Sequence, residues 1–277
     1  MTLSIATNVS SLNAQQNLSR TSAALQSSFQ KLSSGMRINT AADDAAGLAI
    51  SERMKTQIRS YVVAERNAND AISMVQTADG ALGEVGNILG RMRELSVQSA
   101  NGSMTSTDRG YLGTEFKQLQ AEISRIQGAA KFNERPLLGT TASTVVFQIG
   151  LDNASFDQLG ITFGGFALTT LLSSTTNVAG TTASAALASL STIDNALQTI
   201  STQRAKYGAS MNRLQVTTDA IQTMRVNLSA SNSRIRDVDV AEETSKLASN
   251  QVIAQAGVSV LAQANQLPQM AMRLLGQ

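Results

Sequence analysis

The chain of 277 residues has no cysteine, no histidine and no tryptophan, and only two prolines. Without Cys and His it cannot build a disulfide, a zinc finger, an iron–sulfur centre, or a Ser-His-Asp or Cys-His catalytic arrangement. Three Tyr and seven Phe leave bulky core-fillers scarce. Packing falls to Ala, Leu, Ile, Val and Met, which suits helices laid side by side better than a thick globular core. Charged residues make up 15% of the chain and the net charge is +2, so the basic pI of 9.1 reflects a small excess of Arg and Lys. No Lys/Arg cluster is interleaved with aromatics, and no nucleic-acid partner is expected. No apolar run reaches about 18 residues, so no membrane span is expected. The start, MTLSIATNVSSLNAQQNL, lacks a basic n-region and a continuous apolar core, and is not expected to be a cleaved Sec-type signal peptide.

What charge there is avoids the ends. Residues 1–30 contain a single charged side chain, Arg20, and residues 247–277 a single one, Arg273. Both ends are rich in Ala, Ser, Asn, Gln and Leu. Two termini of matching, unusual character are expected to lie together.

Apolar residues recur at helical spacing. From Ile193 a 3–4 alternation continues through Ala196, Ile200, Gln203, Tyr207, Ser210, Leu214, Thr217, Ile221, Met224, Leu228, Ser231 and Ile235 to Val238. That is a heptad seam of about 46 residues, roughly 70 Å at about 1.5 Å per residue. A second long helix is expected from about 41 to 100, through Met54, Ile58, Tyr61, Ala68, Ile72, Val75, Leu82 and Leu89, with Asn101-Gly102 as its stop. A third carries Leu112, Phe116, Leu119, Ile123, Ile126 and Ala130. The fold class expected is mainly α: an elongated antiparallel helical rod or coiled coil with a small β excursion in the middle. In that excursion TVVFQIG (144–150) and ITFGGFAL (161–168) read as short strands, and Asp152 and Asp157 are the charges present between 137 and 186.

In LSSGMRINTAADDAAGLAIS (32–51), Gly35 suits a left-handed helix stop. Thr40 is read as an N-cap, with Asp43 three residues later reaching back to it and Asp44 in the first turn near the helix dipole. Adjacent helical carboxylates diverge by about 100°, so helix capping by Thr40 and Asp43 is expected, and no catalytic residue, metal site or cofactor.

Glycines at 80, 83, 86 and 90 are unusual inside a helix. Their spacing suggests close approach by another backbone, or a locally weak helix at a joint. Pro268 lacks an N–H and is expected to kink or loosen the last helix.

The final helix carries more apolar surface than one partner covers. One row is Leu247, Ala254, Val258 and Leu261; another is Ile253, Val260, Leu267 and Leu274. A two-helix hairpin covers one side of each member. Whichever row the hairpin leaves uncovered needs neighbouring copies, unless the helix is buried in a monomeric bundle. Alone, such ends are expected to be largely disordered and to order on assembly.

Long segments resemble the bacterial flagellins: LSSGMRINTAADDAAGLAI, ERNANDAISMVQTADGALGEV (65–85), RMRELSVQSANG (91–102), FNERPLLG, NLSASNSRIRDVDVAEET and QAGVSVLAQANQLPQMAMRLL (255–275). The resemblance covers about 1–140 and 190–277, nearly everything outside the β excursion. It implies a non-enzymatic subunit that polymerises into the flagellar filament for swimming motility, in a minimal form with a short middle. It assigns 1–40 and 240–277 to an inner coiled-coil core, 41–136 and 187–239 to a helical shell rod, and 137–186 to an outward excursion. The polymer interface would then include Ile5, Val9, Leu12, Leu18 and Leu25 with Ile253, Val258, Val260, Leu261, Leu267 and Leu274. Implied partners are the chain itself, a flagellar export chaperone, and cap and hook-associated proteins. The RMRELSVQ-type segment further implies recognition by the innate receptor called Toll-like receptor five, through Arg91, Leu95 and Glu115. Gly90 weakens that carry-over, because related sequences often have a longer polar residue there. The implied location is extracellular, after export through the flagellar type III apparatus. The alternative within the same axial family is a hook–filament junction protein.

Overall fold

The computed structural model describes residues 7–165, 177–179 and 183–275, with side chains described to residue 266. Five helices dominate it: α1 (Val9–Ser34), α2 (Ala45–Ser99), α3 (Ser106–Ala129), α4 (Ala183–Arg236) and α5 (Val240–Leu275). Between α3 and α4 lie two antiparallel strand pairs, β1 (Lys131–Phe132) with β2 (Arg135–Pro136), and β3 (Ser143–Gln148) with β4 (Gln158–Phe163). The mainly α class with a small β excursion is what the chain adopts. The β1–β2 hairpin has no counterpart in the strand reading, because two-residue strands carry no alternation to detect. Helix α5 runs unbroken through position 268 to Leu275.

The chain forms two compact units, residues 1–58 with 226–277 and residues 59–225. The two boundaries fall inside α2 and α4, not at the connections between helices.

In the unit formed by 59–225, α2 buries Ala68, Ala71, Val75, Ala78, Leu82, Val85, Leu89, Met92 and Leu95. They pack with Phe116 and Ile123 of α3 and with Ile193, Ile200, Tyr207 and Leu214 of α4. Surface ion pairs index α4 against α2 in antiparallel order: Arg93 with Asp194 (2.7 Å), Asp79 with Arg204 (2.8 Å) and Glu65 with Arg225 (2.6 Å). Exposed pairs contribute about 0–1 kcal/mol each, so burial of the α2 stripe dominates the packing. Strand β4 alternates, with Leu159, Ile161 and Phe163 turned to this core and Phe163 tilted on Tyr207 at 5.6 Å between ring centroids. The Tyr207 hydroxyl is buried without a hydrogen-bond partner. Burial raises its pKa.

A Cβ at Gly80, Gly83, Gly86 or Gly90 would meet nothing within 4 Å. Among the described residues no other segment comes within 4 Å of these positions, so the close backbone contact expected there is not made by them.

Candidate polymer interface

Helices α1 and α5 run antiparallel in the unit formed by 1–58 and 226–277. Asn8 donates from Nδ2 to the Ala264 carbonyl at 2.8 Å, and the Ser11 hydroxyl lies 2.8 Å from Asn265 Oδ1. The seam of α1 is Ser11, Ala14, Leu18, Thr21, Leu25, Ser28 and Leu32; that of α5 is Glu243, Leu247, Asn250, Ala254, Gly257, Leu261 and Ala264. Both follow the 3–4 alternation of a two-stranded coiled coil. Most positions are small or polar, so helices lie close but little apolar area is covered. Gly257 illustrates this: a Cβ there would touch Leu18 at 3.4 Å.

A clasp holds the other end of the pair. Gly35 ends α1 at φ +69°, a conformation that suits glycine. Met36 then bridges to Asp237, Arg37 N–H donates to the Arg236 carbonyl at 2.6 Å, and Val238 N–H to the Gly35 carbonyl at 3.1 Å.

The capping arrangement differs from expectation by one step. Asp43 does reach back, accepting from Thr40 N–H (2.9 Å), Thr40 Oγ1–H (3.0 Å) and Asn39 N–H (3.1 Å). These bonds hold its carboxyl below the usual carboxylate range. They close an isolated turn, however. Helix α2 starts at Ala45, where Asp44 Oδ1 accepts from Gly47 N–H (2.8 Å) and the Asp44 carbonyl takes Leu48 N–H. Asp44 is therefore the N-cap of α2, and Thr40 and Asp43 cap the turn before it. Three further caps are not among the sequence expectations. Asn8 Oδ1 accepts from Ser11 N–H (3.1 Å) at the start of α1. A polar residue followed by an acid caps both α3, through a Thr105–Asp108 capping box, and α5, through Asp239 accepting from Ala241 N–H and Glu242 N–H.

Of the expected interface residues, Leu18, Leu25 and Leu261 face the α1–α5 seam. Val9, Leu12, Ile253, Val258 and Val260 are more than half exposed, Ile253 at 51% and Val260 at 52%. Val258, expected in one row with Leu247, Ala254 and Leu261, does not share their side: Gly257 takes the seam position and Val258 turns outward. Ile5 and the side chains of Leu267 and Leu274 lie outside the described residues. Phe29 and Val252 add to the uncovered apolar surface.

Arg91 and Glu115 meet at 2.8 Å on the surface of the other unit, with Glu94 as a second partner for Arg91 at 3.0 Å. Leu95, grouped with them as a receptor contact, is fully buried in the helical core. At i+4 from Arg91 it shares a helix side, but α2 is turned so that Leu95 packs inward.

Two family models match this chain in order: the bacterial flagellin N-terminal helical region over residues 5–143, and the bacterial flagellin C-terminal helical region over 190–275. The chain belongs to the bacterial flagellin family. It is 43% identical to the flagellin of Halalkalibacterium halodurans, covering 97% of this chain and 98% of that one. It is 40% identical to the flagellar filament core protein flaB2 of Brachyspira hyodysenteriae, with the same coverage. A solved chain described as a flagellar hook-associated protein from Vibrio parahaemolyticus shares the fold (TM-score 0.55, 16% identity, 71% of this chain and 98% of that one). At that identity the likeness speaks of fold alone. The flagellin relatives place this chain with filament subunits ahead of junction proteins.

Proposed function

We propose that this flagellin is the structural subunit of a flagellar filament and that the outward faces of its α1–α5 pair are covered by neighbouring copies. The observation that carries this is the row of uncovered apolar side chains on a pair whose own seam is thin: Val9 and Leu12 on α1, Val252, Ile253, Val258 and Val260 on α5. Full burial of such a side chain is worth about 1.5–3 kcal/mol, so covering half-exposed ones contributes on the order of 1 kcal/mol each. A thin two-helix seam gains little stability alone, so ordering of the termini is linked to assembly. A contact that repeats without closing generates a helical polymer. The near absence of charge at both ends removes the desolvation cost that buried ions would impose.

The role is structural, not catalytic. In the flagellar setting the subunit is exported through the type III apparatus to the cell exterior, with an export chaperone and cap and hook-associated proteins as partners. Recognition by Toll-like receptor five would use the exposed Arg91 and Glu115, with Leu95 as packing beneath them. Purified subunit seeded with filament fragments is expected to give long helical filaments in negatively stained images. Persistent monomer at high concentration with seeds would refute the proposal.

A further inference from the structure

A knob and a hole sit on the same subunit, both in the unit formed by 59–225. The hole is an open apolar cavity of about 530 Å³ lined by Met74 of α2, Phe132, Asn133, Glu134 and Arg135 of the β1–β2 hairpin, and Val145 and Phe147 of β3. Its size falls within the range of sites that take a small apolar group, roughly 300–1,000 Å³. Its rim is a tight turn in which Asn133 (φ +47°) and Glu134 (φ +65°) both adopt left-handed backbone. Positive φ at both central residues is the geometry of a two-residue hairpin turn, which fixes the shape of the rim.

The knob is Phe156, 81% exposed in a short 3-10 turn (Ser155–Asp157) between β3 and β4. Its loop is rigidly built. Asp157 accepts Asp152 N–H on Oδ2 at 2.9 Å, its carbonyl accepts Ile149 N–H and Gly150 N–H, and Gln148 Nε2 donates to the Gly150 and Asp152 carbonyls. Gly150 is required there: a Cβ would fall 1.8 Å from Asp157 Oδ1. So many internal bonds present an aromatic ring to water, where it gains nothing in the lone subunit. One opposite-charge pair can form between the two sites, although the rim also carries Glu134 beside Arg135. The exposed Asp152 carboxylate stands in the knob loop, and the exposed Arg135 guanidinium stands on the rim of the hole.

We infer that Phe156 of one copy seats in the Met74–Phe132–Phe147 cavity of the next, with Asp152 beside the neighbour's Arg135. The occupant of the cavity is thus a second copy of this chain. Each subunit offers one knob and one hole, and along a helical filament the contact repeats head-to-tail, whereas a reciprocal exchange between two copies would close as a dimer. It rests on the filament reading above, but uses a surface separate from α1 and α5.

The chain has no cysteine, which makes cross-linking specific. Seeded filaments of a Ser155→Cys, Lys131→Cys double variant, which leaves Phe156 and Arg135 in place, are treated with a short bismaleimide and run on a denaturing gel. The expected product is a ladder of oligomers, with each single variant giving no ladder. In parallel, Phe156→Ala should raise the critical concentration at least about tenfold with the monomer's circular dichroism unchanged. Asp152→Lys should weaken assembly at low salt, and added Arg135→Glu should restore it. Normal filaments with no ladder and an unshifted critical concentration for Phe156→Ala would overturn this contact and leave the filament reading standing. Failure of the unmodified chain to form filaments would overturn both.

Discussion

At the residue scale, short polar side chains decide where the helices begin. Asp44 satisfies Gly47 N–H at the start of the 55-residue α2. Asp44→Ala is expected to cost about 0.5–2 kcal/mol, read as a lower thermal midpoint, whereas Thr40→Ala should cost less because its hydroxyl donates only to Asp43. Equal losses for the two would restore Thr40 as the helix cap. The carboxyls of Asp43 and Asp108 are both held below their ordinary value of 3.8 by hydrogen bonds from the neighbouring Thr. A depressed native pKa means stability that is present above the unfolded value and lost as pH falls through the native one. Thermal midpoints measured downward from neutral pH should therefore begin to fall near and below about pH 4, and Asp108→Asn should flatten part of that fall. Tyr207 stands opposite to these satisfied groups. Its hydroxyl is buried without a partner, so Tyr207→Phe should leave stability unchanged or raise it slightly. A loss above about 1 kcal/mol would mean that the hydroxyl is satisfied in solution.

At the element scale, the two apolar sides of α5 do different work. Leu261 lies in the seam against α1, whereas Ile253 and Val260 look outward. Leu261→Asp should keep the α1–α5 pair from closing and so block the rise in helix content that accompanies assembly. Ile253→Asp should leave the monomer's circular dichroism unchanged and raise the critical concentration at least about tenfold. Filaments forming normally from Ile253→Asp would show that this side faces water in the polymer. The 3–4 alternation made α4 legible from Ile193 to Ile235, because a long seam of one period leaves few alternatives. The boundary at Thr40 was not legible, since three polar residues within five positions can each cap and packing selects among them. The row of Leu247, Ala254, Val258 and Leu261 was legible except at Val258, where the seam takes Gly257 because the helices lie close. The cavity and the outward Phe156 left no trace in the periodicity. They depend on strands and turns brought together from distant parts of the chain.

At the scale of the whole molecule, burial is unevenly shared. The unit formed by 59–225 buries large side chains from three helices and a strand, whereas the unit of both termini has a seam of small residues and much uncovered apolar surface. Removing the last 20 or so residues should therefore leave a folded, soluble protein that does not polymerise, and normal filaments from that truncation would contradict terminal-driven assembly. Helix content should also rise as intact subunits polymerise. The most direct measurement places one cysteine at Val260, in a chain that otherwise has none. Maleimide labelling of Val260→Cys should be rapid in monomer and close to the unmodified background in filaments, because neighbouring copies cover that face. Equally rapid labelling in both forms would contradict the account.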